Sequence, residues 1–210
     1  MIKVVPFIYE DLDDLYANTY VLIDNQNNCV VVDPAKDYLG LVNYIEKQQL
    51  SLKAILLTHG HVDHIRGVDV LVEHFLAPVY IGFFEVDKLS DPYLNCSALL
   101  AKPFKSKAKP ITVAENDVIS LLNEPIIVID TPYHTSGSVC FYLKESQILL
   151  TGDFLLEHTV GRADLPSAQP KKLKSSMAKI MALPSATRIY PGHGKSSTLL
   201  EEQKLNPFVK

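Results

Sequence analysis

The sequence predicts an α/β protein, on three observations. Short apolar runs bounded by turn residues alternate with stretches whose apolar residues recur at helical spacing. Most of the apolar runs end at a residue capable of chemistry. The densest of these ends, Leu57-Thr58-His59-Gly60-His61-Val62-Asp63-His64, lies between a strand-like and a helix-like run and places three imidazoles and a carboxylate within six consecutive residues.

Taken in order, Ile2 to Ile8 reads as a strand, with Pro6 favouring an edge position. An acidic loop follows, Glu10-Asp11-Leu12-Asp13-Asp14. Thr19 to Asp24 and Cys29 to Asp33 then flank Asn25-Gln26-Asn27-Asn28, four turn-forming residues that predict a hairpin, and Asp33-Pro34 ends the second strand. Leu41, Val42 and Ile45 are spaced as one face of a helix over 37–49. Leu52 to Leu57 is a buried strand leading into the His-rich stretch, and Ile65 to Val72 is the helix after it. Ala77 to Ile81 is the next strand. Residues 82–110 are the least regular part, a loop with short helical pieces near Phe83 to Leu89 and Ala98 to Ala101. Further strands are expected at Ile111 to Leu122, Pro125 to Asp130, Ser138 to Leu143, Gln147 to Leu150 and Thr187 to Tyr190. Helices are expected at Lys171 to Leu183 and Thr198 to Leu205.

With 210 residues the chain is expected to form one domain, burying roughly 70% of the surface its unfolded form exposes. Hydrophobic content of 47% and charged content of 21% describe an ordinary globular protein. The net charge of −4 disfavours a phosphate-tracking surface, and Lys102, Lys105, Lys107 and Lys109 are spread along a proline-containing loop as a solvated face. Nucleic acid is therefore excluded as a partner. Cys29, Cys96 and Cys140 are odd in number and far apart, which fits free thiols in a reducing compartment. Asn95-Cys96-Ser97 matches the glycosylation pattern by coincidence. The N-terminal residues lack the apolar core and cleavage site of a signal peptide, and no window is apolar enough to span a bilayer, so a cytoplasmic location without membrane attachment is expected.

Neutral imidazole nitrogens and carboxylate oxygens at this density point to metal. His59 and His61, two apart in extended chain, can point the same way. Asp63 and His64, at the opening turn of a helix, face a second position nearby. Zinc suits this donor set, as do iron and manganese. Three residues that follow β runs add donors: His134 in Thr131-Pro132-Tyr133-His134, Asp153 in Thr151-Gly152-Asp153, and His193 in Pro191-Gly192-His193-Gly194. Strand ends meeting at one sheet edge give rigid placement from distant positions.

This set of residues resembles the metallo-β-lactamase superfamily, whose pattern is a His-x-His-x-Asp-His loop followed by a lone His, a bridging Asp and a last His. The resemblance covers essentially the whole chain. It implies a four-layer αββα sandwich with two divalent metals at one edge, zinc first. His59, His61 and His134 would hold one metal and Asp63, His64 and His193 the other, with Asp153 bridging. Within the superfamily the chain is similar to the small, single-domain glyoxalase II-like hydrolases, through Asp91 to Ser97, Gly161 to Pro166 and Asn206-Pro207-Phe208. It departs in having Tyr133 where the family has Gly. It also ends without the C-terminal helical domain that supplies glutathione contacts in the larger enzymes.

The activity so implied is hydrolysis of a small-molecule thioester such as an S-acylglutathione. Two metals would lower the pKa of a shared water, and Asp63 would orient the resulting nucleophile and accept its proton. No Ser-His-Asp set or nucleophilic Cys motif competes with that nucleophile. Tyr133, Arg162 and Lys195 are the expected substrate contacts, whereas His74 and His158 read as structural or surface residues. The alternatives are a persulfide dioxygenase holding a single iron at the first position, a lactonase or phosphodiesterase on the same ligands, and a non-catalytic metal-binding role.

Overall fold

A computed structural model describes residues 1–9, 16–36 and 39–209. The acidic loop and the predicted helix start at Asp37 lie outside the described residues. The first sheet holds β1 (Lys3–Phe7), β2 (Thr19–Ile23), β3 (Asn28–Val32), β4 (Ser51–Leu57), β5 (Val79–Gly82) and β6 (Ile111–Val113), side by side in chain order. β1 to β3 run antiparallel, and β3 to β6 run parallel. The second sheet contains β7 (Val118–Ile119), β8 (Ile126–Asp130), β9 (Val139–Leu143) and β10 (Ile148–Gly152). A two-stranded hairpin, β11 (Leu155–Leu156) with β12 (Thr159–Val160), follows before β13 (Arg188–Pro191) and β14 (Ser197–Thr198) complete the second sheet in the order β14-β13-β10-β9-β8-β7.

The helices are α1 (Leu39–Lys47), α2 (Val62–Ile65), α3 (Val68–Phe75), α4 (Leu173–Met181) and α5 (Leu199–Leu205). Alternation along the strands sorts side chains into three cores. Leu22, Val30, Leu56, Val128, Phe141 and Leu150 fill the space between the sheets. Val21, Val31, Ile55 and Leu57 face outward onto Leu41, Val42, Ile45 and Leu71 of α1 and α3. On the far side Cys140, Tyr142, Leu149 and Ile189 meet Met177 and Ile180 of α4 and Leu199 of α5. The layers are therefore αββα, as expected. Because β2 is covered on both faces, all five of its residues are buried and the strand reads as a continuous apolar run.

Several elements differ from the expected ones, and the β11–β12 hairpin and β14 were not expected. Ile111 to Leu122 is two strands in different sheets, because Glu115-Asn116-Asp117 forms a turn in which Asn116 takes φ 67° and Asp117 accepts the Ala114 amide at 2.9 Å. The helix after the His-rich stretch begins earlier, at Val62, and breaks near Gly67, where the amide is drawn 2.8 Å to Pro34 O. Residues 98–101 form turns and bends, while Phe83–Leu89 is a 3₁₀ helix. Pro6 does lie on an edge strand, and the buried Cys29 and Cys140 are core residues. Asn95 is fully buried, so its glycosylation pattern is a coincidence. Among the described residues no helix is long and apolar enough to cross a membrane.

Phe141, among the largest fully buried side chains, marks the centre of the inter-sheet core. Phe141→Ala should cost about 3–5 kcal/mol in urea unfolding, whereas Leu99→Ala, at a fully exposed position, should change it by no more than about 0.5 kcal/mol.

Candidate metal centre

β8, β10 and β13 run in one direction in the second sheet, and their C-terminal ends meet the end of β4 across the gap between the sheets. Each end turns sharply into a ligand. β4 leads to residues 58–64, β8 to His134, β10 to Asp153 and β13 to His193. The last turn needs glycine: a Cβ at Gly192 would run into Asp153 Oδ1 and the His64 ring.

All seven residues expected as ligands come together. Potential donor atoms of His59, His61 and His134 lie within 4.8 Å of one another, as do those of Asp63, His64 and His193. His61 Nδ1 is 2.9 Å from His134 Nε2 in the first group, and His193 Nε2 is 3.2 Å from Asp63 Oδ2 in the second. Asp153 stands between the groups. Its Oδ1 is 3.3 Å from His64 Nε2, and its Oδ2 is 3.5 Å from His134 Nε2 and 3.6 Å from His193 Nε2. A third grouping, His59 with His64 and Asp153, meets the same 4.8 Å limit and records how near the two positions are.

Several groups that sequence reasoning passed over fix these side chains. Asp33, read only as a strand end, accepts hydrogen bonds from the Thr58 amide at 2.8 Å, from Thr58 Oγ1 at 2.7 Å and from His64 Nδ1 at 3.0 Å. That contact sets the His64 tautomer and leaves Nε2 facing the centre. His134 Nδ1 donates to the Arg162 carbonyl at 2.6 Å, which turns its Nε2 inward in the same way. The Asn95 carbonyl receives the first amide of α2, Val62 N, at 2.9 Å. Two of the segments that carried the resemblance thus brace ligands. The third pins α5, through Asn206 Nδ2 to Thr159 O at 2.9 Å and to Glu202 at 2.8 Å.

The protonation states divide the centre in two. Burial holds His59 well below its ordinary value, and the neighbouring His64 and His61 add to the effect. Burial, with His134 close by, brings His61 down to about 3. Burial would also lower His64 and His193. The carboxylates of Asp153, Asp63 and Asp33 outweigh it at His64 and hold that group well above its ordinary value. The Asp63 hydrogen bond and the Asp153 charge raise His193. Asp63 and Asp153 stay ionised despite burial, with His64 the main cause in both.

This donor set fits metal ions. Among the described residues the buried His59 Nε2, His61 Nε2, His64 Nε2 and Asp153 Oδ1 have no aligned hydrogen-bond partner, an arrangement that costs free energy unless a cation completes it. Three nitrogens lie on one side and two nitrogens with a carboxylate on the other, with Asp153 between them, and each group could hold a metal ion.

A family model for the metallo-beta-lactamase superfamily matches residues 12–193. The chain belongs to that superfamily. Hydroxyacylglutathione hydrolase GloC of Haemophilus influenzae is 30% identical over 203 residues, covering 91% of this chain and 92% of its own. Among solved structures, the B3 metallo-beta-lactamase BLEG-1 matches with a TM-score of 0.89 at 33% identity, covering 100% of this chain and 99% of its own. TTHA1623 in a di-iron-bound form matches with a TM-score of 0.82 at 32% identity, covering 97% and 99%.

The expected substrate contacts of this superfamily member fare unevenly. Tyr133 does not line the mouth: it is buried in the core behind the second sheet, with its ring 6.2 Å from that of Phe154, because the turn before His134 folds it under the sheet. Arg162 is exposed and forms a bidentate pair with Asp164 at 2.7 Å, so its contribution to the centre is its backbone carbonyl. Lys195 is exposed on the loop after His193. His74 pairs with Glu46 and His158 with Glu201 at the surface, both at 3.0 Å and both outside the centre as expected.

The two groups should respond differently to pH. His59 and His61 are held below their ordinary value and meet an ion with little competition from protons, whereas His64 and His193 are raised, so protons compete more strongly for an ion's place there. Ion content measured after equilibration from about pH 8 down to about pH 5 should fall at the Asp63–His64–His193 position first and persist at the other.

Proposed function

We propose that the chain is a two-metal hydrolase of small-molecule thioesters, with S-acylglutathiones such as S-lactoylglutathione as the substrate class. The observation that carries the hydrolase reading is the pair of facing donor groups joined by one buried carboxylate, Asp153. His59, His61 and His134 would hold one divalent ion and Asp63, His64 and His193 the other, with zinc favoured and iron or manganese compatible. Bound there, the ions would supply a water of lowered pKa and a Lewis acid for the carbonyl oxygen.

The chain's own residues account for the rest. The Asp63 side chain is 21% exposed while that of His64 is fully covered, so the carboxylate reaches the open side of the centre. Ionised and hydrogen-bonded to His193, it can orient a nucleophilic water and take up its proton. A thiolate leaving group needs no protein acid, because a thiol of pKa about 8.5 departs readily. The chain's own thiols do not compete as nucleophiles: burial pushes Cys29 and Cys140 up to about 12 and also raises Cys96. The similarity to GloC over nearly the whole chain supports the acylglutathione class.

A second reading, β-lactam hydrolysis, is favoured by the similarity to BLEG-1. A single-iron dioxygenase would leave the complete Asp63–His64–His193 group unused. Metal analysis of protein purified without added metal, paired with ultraviolet assay of S-lactoylglutathione loss, tests these readings together. About two ions per chain, with turnover abolished by chelation and restored by metal, is the expected result. Asp63→Asn should lower kcat by at least about 100-fold. Turnover of a β-lactam alone, or a single iron with oxygen uptake on glutathione persulfide, would overturn the thioesterase reading.

A further inference from the structure

Glu85 and Lys88 lie in the 3₁₀ helix Phe83–Leu89 and form an ion pair at 2.8 Å whose side chains are fully covered. Both side chains are out of water, and a buried ion pair rarely improves stability over a well-packed apolar pair. Its placement says what it does. Glu85 Oε2 accepts the Gly60 amide at 2.9 Å, and Oε1 accepts the Gly137 amide at 2.8 Å. Gly60 separates His59 from His61, and Gly137 is on the loop that follows His134. One carboxylate therefore ties the two loops that carry all three residues of the first group, one loop from each sheet.

Lys88 completes the device. Its ammonium is 2.8 Å from Glu85 Oε1 and 3.3 Å from the Phe84 carbonyl, which holds the carboxylate turned toward the amides. Its stem packs so closely on the loop that a Cβ at Gly60 would lie 2.6 Å from Lys88 Cβ. The second group is held by other means, with His64 on Asp33, and His193 on Asp63.

We propose that the buried Glu85–Lys88 pair is a positioning device for the ion at His59, His61 and His134, and that it acts on that ion and not on its neighbour. The proposal rests on the two-metal reading above and is independent of the substrate. Glu85→Gln is the informative change, because Gln has one acceptor oxygen. Its amide group would present N–H to whichever backbone amide that oxygen does not serve, so one of the two ties breaks.

The full-length chain would be stripped of metal and titrated with Co²⁺ by absorbance in two backgrounds. His193→Ala isolates the first position, and His61→Ala isolates the second. Glu85→Gln should weaken Co²⁺ binding by about 10–100-fold in the first background and leave it unchanged in the second. Glu85→Gln/Lys88→Met, which carries no buried charge, should recover the melting temperature of the metal-free protein while the binding defect remains. Equal losses in both backgrounds, no loss in either, recovery of binding together with the fold, or failure of both variants to fold would each overturn the proposal. If the chain without these substitutions bound no ion, the two-metal reading itself would fail, and that outcome is separate from the others.

Discussion

The centre depends on charge held out of water. Asp33, Asp63 and Asp153 converge on His64, and burial would make three carboxylates untenable without positive partners. Asp33 resolves its share locally, by accepting three hydrogen bonds from Thr58 and His64 at the point where the chain leaves β3 with φ 50°. Asp63 and Asp153 are instead compensated across the centre by His64 and His193, whose affinity for protons those carboxylates raise. A divalent ion supplies the same charge and also satisfies the orphaned imidazole nitrogens. The strand ends are thus arranged around a charge deficit, and the surrounding turns are shaped to keep it.

That deficit sits where the two sheets meet. His59, His61, Asp63 and His64 follow β4 of the first sheet, while His134, Asp153 and His193 follow strands of the second. Each donor group therefore draws from both sheets, and any ion filling it bridges the inter-sheet core. Binding at such a place is linked to folding, because only the assembled sandwich presents the donors together. The Asn18 side chain extends the linkage on the protein side, reaching Pro191 O at 3.1 Å and Gly194 O at 2.9 Å from the start of β2.

What the sequence made legible follows from how locally each feature is encoded. The candidate ligands were readable because five of the seven histidines either cluster or closely follow a β run, while their division between two positions with Asp153 shared came from the family resemblance. The four layers were implied by the family resemblance, whereas the α/β class was readable because apolar runs such as β2, β3 and β8 to β10 alternate with helix-spaced stretches. The division of Ile111 to Leu122 between two sheets was not, since period-two patterning is the same whichever sheet a strand joins. Asp33 carried a usable signal: like the ligands it ends a β run, on the parallel neighbour of β4, at the same edge. Glu85 and Lys88 carried none, because a Glu and a Lys three apart in a short helical piece look like any solvated pair. Tyr133 misled for a related reason. Its place beside a ligand is a fact of sequence, but its ring direction is set by packing against Phe154.

The same contrast separates the reacting centre from the rest of the substrate path. Three of the imidazoles in the centre are oriented by groups outside it: Thr58 Oγ1 stands 3.1 Å from His59 Nδ1, Asp33 holds His64, and the Arg162 carbonyl holds His134, while His193 and Asp63 hold each other. On the rim the only arginine expected to meet substrate has its charge met by Asp164 in open water, where such a pair contributes little to stability and cancels the attraction it would exert on an anion. The precision built into the fold is therefore concentrated on the donor set and not on the rim. On the hydrolase reading proposed above, discrimination among substrates would fall to what can reach this edge, where a carbonyl that an ion can polarise and a leaving group able to depart without an acid would be favoured.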